Sequence, residues 1–210
     1  MRNAFIICLI LLVAGCMKEN GPAAVEIPAK VFFSEDFSGG LRNWVVDGAG
    51  GGAMEVVDHP NLGVAKALEM RSQMMRSVTA QAPDFPMVWD SDYVVSFYLL
   101  LQHRQNFGYT VYRDRNVDLE LGEGTTLVCR EGDRKTIVGR FDTNDWNKVV
   151  LKVRPREGDY DILFGKEFKR SCEIQKMPHA GSFSFGDPDP SDTVYGDGIW
   201  DEFKITDRLL

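Results

Sequence analysis

No stretch of about twelve residues in this chain carries the 3.6-residue apolar repeat of an amphipathic helix. What recurs is the two-residue alternation of half-buried strands, clearest near the C-terminus from Ile199 to Thr206. Strict alternation puts Ile199, Asp201, Phe203 and Ile205 on one face and Trp200, Glu202, Lys204 and Thr206 on the other. As the last element, this strand is expected to close a sheet against an early one. Upstream the strand-like runs are Lys30 to Phe37, Met54 to Val57, Ala67 to Met70 and Tyr93 to Leu101. They continue with Phe107 to Tyr112, Val117 to Leu121, Thr125 to Cys129, Thr136 to Phe141, Lys148 to Val153, Tyr160 to Phe164 and Ser182 to Phe185. Tyr93 to Leu101 is continuously apolar, and its β-branched and aromatic content favours a strand over a buried helix. Gly48 to Gly52 reads as a flexible run, and Asp58-His59-Pro60-Asn61 as a turn. Many short strands separated by turns predict an all-β fold of two packed antiparallel sheets or a barrel.

The first residues are an address. Arg2 and Asn3 precede an apolar run from Ala4 to Val13 that is too short to span a bilayer, which takes about 20 helical residues. The run ends Leu12-Val13-Ala14-Gly15-Cys16, which resembles the lipobox of bacterial lipoproteins. Residues 1–15 are then a signal peptide and Cys16 the lipidated residue. Each buried acyl methylene contributes about 0.8 kcal/mol, so two or three chains would hold the protein on a membrane of the cell envelope. Residues 16–29 are polar and contain Gly21 and Pro22, the composition of a tether, and residues 30–210 form the domain.

The formal net charge of −7 argues against nucleic acid and against electrostatic docking on anionic lipid. With Cys8 in the signal and Cys16 acylated, Cys129 and Cys172 remain, either as a disulfide or as two buried thiols.

Three pieces of the domain resemble the concanavalin A-like lectin/glucanase superfamily, including laminin-G-like domains. One is Phe33-Ser34-Glu35-Asp36-Phe37-Ser38-Gly39-Gly40-Leu41-Arg42-Asn43-Trp44. Another is Asp145-Trp146-Asn147-Lys148-Val149-Val150-Leu151-Lys152-Val153 with the hairpin from Tyr160 to Lys166. The third is Gly198-Ile199-Trp200-Asp201-Glu202-Phe203-Lys204-Ile205. The resemblance implies a two-sheet antiparallel jelly roll with its first and last strands side by side. It says little about function, because lectins, hydrolases, lyases and adhesion modules share this fold.

Three constellations bear on chemistry. Asp118, Glu120 and Glu123 approximate the carboxylate motif that laminarinase-type hydrolases carry on one strand. The i, i+2 spacing puts Asp118 and Glu120 on one face, but the residue types are exchanged and Gly122 and Gly124 place Glu123 in a turn. Acidic residues from Asp187 to Asp192, with Asp197, Asp201 and Glu202, offer oxygen ligands but do not form an EF-hand: prolines interrupt the loop. Relatives in the superfamily often hold a structural calcium near the first and last strands, for which Glu35, Asp36 and Asp201 are the candidates here. Finally, Tyr98, Gln102, Arg104, Tyr109 and Tyr112 supply the flat apolar faces and planar polar groups that grip sugars. Trp44, Trp89, Trp146 and Trp200 are expected to pack the core.

The expected function is therefore an envelope-anchored module that binds carbohydrate without turnover and requires no cofactor. A glycoside hydrolase or polysaccharide lyase using Asp118, Glu120 and Glu123 is the enzymatic alternative. An adhesive module with a protein partner is the third.

Overall fold

The computed structural model describes residues 28–49, 53–60, 65–72, 77–87, 89–102, 108–164, 167–176, 182–187 and 196–209. Cys16 and its lipobox, Arg104 and the acidic segment 188–195 lie outside the described residues. No described helix is long and apolar enough to cross a membrane.

The described residues form fifteen strands. The first seven are β1 (Val31–Glu35), β2 (Val45–Ala49), β3 (Ala53–Asp58), β4 (Lys66–Ser72), β5 (Ser77–Gln81), β6 (Tyr93–Leu101) and β7 (Thr110–Arg113). Then come β8 (Asp118–Gly122), β9 (Thr126–Glu131), β10 (Arg134–Arg140), β11 (Trp146–Arg154), β12 (Asp159–Phe164), β13 (Glu167–Glu173), β14 (Ser184–Asp187) and β15 (Gly196–Thr206). One sheet runs β13-β12-β11-β6-β15-β4-β3, with β1 also on β15; the other runs β10-β9-β8-β7-β14-β5-β2. Every strand pair is antiparallel, and the two sheets face one another as a jelly-roll sandwich. Three strands were not anticipated. β2 runs through Gly48, and β5 and β13 (Ser-Val-Thr-Ala-Gln and Glu-Phe-Lys-Arg-Ser-Cys-Glu) carry too few apolar residues to advertise a buried face.

β1 lies beside β15, as the terminal alternation and the resemblance both imply. The alternation of β15 itself does not hold. Asp201 pairs with Tyr98 and Lys204 with Ser96, so Glu202 and Phe203 together oppose the single residue Phe97. Glu202 takes φ 49° to accommodate this bulge. The extra residue shifts the phase, and the inward set becomes Trp200, Phe203 and Ile205 while Ile199 faces outward with Ala67 and Leu100.

Between the sheets lies an aromatic core. Phe185 stacks on Trp200 (4.9 Å) and Phe203 (5.2 Å), and Phe203 on Phe97 (4.9 Å). Trp44 and Trp89 are buried with them, whereas Trp146 sits only half-buried on the outer face. Cys129 of β9 and Cys172 of β13 form a disulfide, their Cα atoms 6.6 Å apart, which stitches one sheet to the other. Next to it, Glu131 accepts a hydrogen bond from the backbone N–H of Glu173 (3.1 Å).

Candidate functional site

A buried carboxylate that sequence reading passed over organises the β7–β8 connection. Asp114 Oδ1 accepts the N–H groups of Asn116 (2.7 Å) and Val117 (2.8 Å); Oδ2 accepts the hydroxyls of Tyr93 (2.7 Å) and Tyr112 (2.8 Å). Asn116 Nδ2 donates to the Trp89 carbonyl (2.9 Å) and to the Tyr93 hydroxyl (3.2 Å). Burial pushes the Asp114 carboxyl above its usual range, and the two phenols well above theirs, while the four donors pull the carboxyl back down. The only signal in the sequence is Asp114-Arg115-Asn116, an ordinary turn composition. This network explains where two expected ligand-binding residues went. Tyr112 is fully buried and committed to Asp114, and Tyr109 is fully buried against Trp200 at 5.9 Å. Neither can serve as a stacking platform without opening the core.

The remaining members of that group separate. Tyr98 faces outward from β6, with Lys148 Nζ 5.5 Å from its ring centroid. Gln102 is half-buried just beyond the strand end, and Arg104 lies outside the described residues.

Asp118 and Glu120 do share a face, the outer face of the seven-stranded sheet, but neither is free. Arg113 holds Asp118 through Nε and Nη2, both at 3.0 Å. Glu120 accepts from Arg130 (2.7 Å) and Lys135 (2.8 Å). A general acid or nucleophile must meet the reacting atom, and here three cations cover both carboxylates. Glu123 stands apart in an exposed 3-10 turn, Glu123–Thr125.

The calcium candidates are likewise occupied. Glu35 accepts the Phe37 N–H (2.8 Å) and the Trp44 indole N–H (3.2 Å), and Asp36 accepts from Ser38. Asp201 accepts the Glu202 N–H (2.7 Å) and lies 3.3 Å from His59 Nε2, with His59 stacked on Trp146 at 4.7 Å. Burial raises the Asp201 carboxyl. Among the described residues the three carboxylates do not converge; Cys129, Glu131 and Cys172 do, and both of those sulfurs are bridged.

Strand register makes the outer face of the seven-stranded sheet an ordered surface. Val45 pairs with Gln81, Gln81 with Ser184, Ser184 with Arg113, and Arg113 with Asp118. Leu119 pairs with Cys129, which brings Asp118 beside Arg130, and Arg130 pairs with Lys135. One row of side chains thus crosses all seven strands. A second row on the same face runs Asp47, Thr79, Gly186, Thr110, Glu120, Val128 and Ile137. Where the rows pass Thr79, Gln81, Arg113 and Ser184 there is an open depression of about 270 Å³. Its lining offers a carboxamide, a guanidinium and hydroxyls, with the buried Asp114 and Phe183 beneath them, and neither row contains an aromatic side chain.

No family model matches the chain, and no curated protein matches it. Solved structures do. A conserved carbohydrate esterase from the Shiga toxin-encoding bacteriophage phi24B aligns at 11% identity with a TM-score of 0.62, covering 85% of this chain and 99% of that one. The cellulose induced protein Cip1 aligns at 9% identity and a TM-score of 0.64, covering 85% and 98%. Domain 4 of AbnA, an extracellular arabinanase from Geobacillus stearothermophilus, was solved in complex with arabinotriose; it aligns at 18% identity and 0.56, covering 85% and 92%. At such identities the likeness is one of fold, and it places the chain among two-sheet all-β sandwiches.

Proposed function

We propose that the protein is a carbohydrate-binding module that works without turnover, carried on the bacterial cell envelope by lipid at Cys16. The observation that carries this reading is the open depression where Gln81, Ser184, Thr79 and Arg113 meet on the outer face of the seven-stranded sheet. Planar amide and guanidinium groups with flanking hydroxyls match the alternating donors and acceptors of a sugar ring. The covering of Asp118 and Glu120 by Arg113, Arg130 and Lys135 argues against hydrolysis at the one carboxylate pair suggested by sequence. The arabinotriose held by a similar fold adds support by analogy.

A glycan array probed with the full chain in detergent, run beside reducing-sugar release assays, tests the reading. Binding without sugar release is the expected outcome, with Gln81→Ala weakening it roughly five-fold, about the loss of one hydrogen bond. Sugar release abolished by Glu120→Gln would instead establish the hydrolase alternative.

A further inference from the structure

The row of side chains that crosses the seven-stranded sheet is not uniform along its length. From β2 to β14 it is uncharged, with Gln81 and Ser184 bordering the depression. From β7 to β10 it is charged, and the charges are layered. The Asp118 and Glu120 side chains are 3% and 11% exposed, whereas Arg113, Arg130 and Lys135 are 27%, 39% and 59% exposed. The carboxylates therefore lie underneath and the cations on top. A molecule approaching from solvent meets N–H donors and positive charge, with the acceptors already used from below. Three cations over two carboxylates leave a local excess of one positive charge, in a chain whose overall net charge is −7.

Salt bridges alone would not require this arrangement. One guanidinium or ammonium suffices to neutralise one carboxylate, yet Glu120 is held by both Arg130 and Lys135. The carboxylates restrain long, rotamer-rich side chains so that less entropy is lost when a ligand binds them. Seven strands at a spacing of about 4.8 Å make the row about 29 Å long, the scale of an extended chain laid across the strands.

We propose that this face binds an anionic glycan, one bearing uronate carboxylates or sulfate esters, lying across the strands. Its hydroxyl-rich part occupies the Gln81–Ser184 depression, and its anionic groups lie over Arg130 and Lys135. This rests on the carbohydrate reading above and adds a ligand class and an orientation to it.

The test measures affinity of the full chain in detergent for polygalacturonate, heparin, the neutral glucan laminarin and a single-stranded polynucleotide. The expected result is tighter binding to polygalacturonate or heparin than to laminarin, weakening as salt rises. Whichever of the two binds better identifies carboxylate or sulfate as the recognised group. Lys135→Gln and Arg130→Gln should each weaken binding about five-fold, the scale of one partly exposed charge interaction. Lys148→Gln, the same charge change on the opposite face, should have no effect. The paired variant Arg130→Gln/Glu120→Gln removes one charge of each sign, so its loss of affinity with an unchanged melting temperature separates recognition from folding. Equal affinity for laminarin, or affinity unaltered in the Lys135 and Arg130 variants, would overturn the inference while leaving the carbohydrate reading standing. Polynucleotide binding as tight as glycan binding would also overturn it. Failure to bind any glycan would remove both.

Discussion

At the scale of single residues, the least replaceable position in the proposed face is one with no side chain. Gly186 takes φ 117°, and a Cβ built there would lie 2.3 Å from the Val78 carbonyl oxygen and 2.9 Å from Thr79 Cα. Both neighbours are backbone of the adjacent strand β5 and cannot rotate away. Gly186→Ala should therefore cost about 3 kcal/mol, read as a lowered denaturation midpoint, with strain and overpacking acting together. Gly39→Ala, with nothing within 4 Å of the added carbon, should stay within about 0.5 kcal/mol of wild type. Single residues were also where sequence reading was least informative. Tyr98 and Tyr112 look alike in sequence, yet one faces outward and the other lies under Asp114. The difference comes from long-range pairing, which puts Tyr112 beneath a carboxylate that no local pattern marks. Asp118 and Glu120 were placed correctly on one face by their spacing, because a period of two is a local property. Their covering cations come from β7, β9 and β10, and no spacing on one strand could reveal them.

Elements were more legible. β6 spans Tyr93–Leu101, the same bounds its apolar run suggests, since a strand buried in the middle of a sheet declares itself by composition. β13 did not, because an edge strand carrying Glu, Lys and Arg meets the requirement for a soluble edge rather than a buried one. The same edge carries a pH-sensitive contact. Burial alone would push the Glu131 carboxyl up, but hydrogen bonds from Arg134, the Glu173 N–H and Thr136 outweigh it, so the folded-state value lies below the usual range. A carboxyl lowered in the folded state adds stability that is complete above the unfolded value and lost as pH falls through the folded one. Glu131→Gln should accordingly destabilise the protein by about 1–3 kcal/mol at neutral pH. That deficit should shrink towards zero in urea titrations carried below the carboxylate range. A deficit independent of pH would mean that the charge of Glu131 contributes nothing.

For the molecule as a whole, the two sheets divide the work. The chain enters on the eight-stranded sheet, where Asp207 fixes Lys30 from both sides: its carboxylate accepts the Lys30 N–H and its own N–H reaches the Lys30 carbonyl, each at 3.0 Å. The proposed glycan face is the outer surface of the other sheet, so Lys30 and β1 lie on the sheet opposite it. If Cys16 is the lipidated residue, Cys16→Ser should move the full chain from the membrane pellet to the soluble fraction while leaving its glycan affinity unchanged. Retention in the pellet would remove the lipoprotein reading.

The pairing of β1 with β15 also decides how the molecule would bear a load. Any pull on the chain ahead of Lys30 is passed to Asp207 and then, through the β1–β15 ladder, into the middle of the eight-stranded sheet. β15 is clasped by β6 on one side and by β4 and β1 on the other, so tension spreads through the best-anchored strand instead of peeling an edge. The edge strand β13 lies far from that line of force, and its disulfide to β9 couples it to the second sheet. A particle held from one side and gripping a polymer on the other would thus be strained across its thickness, with its aromatic filling and the Cys129–Cys172 bridge carrying the tension from one sheet to the other.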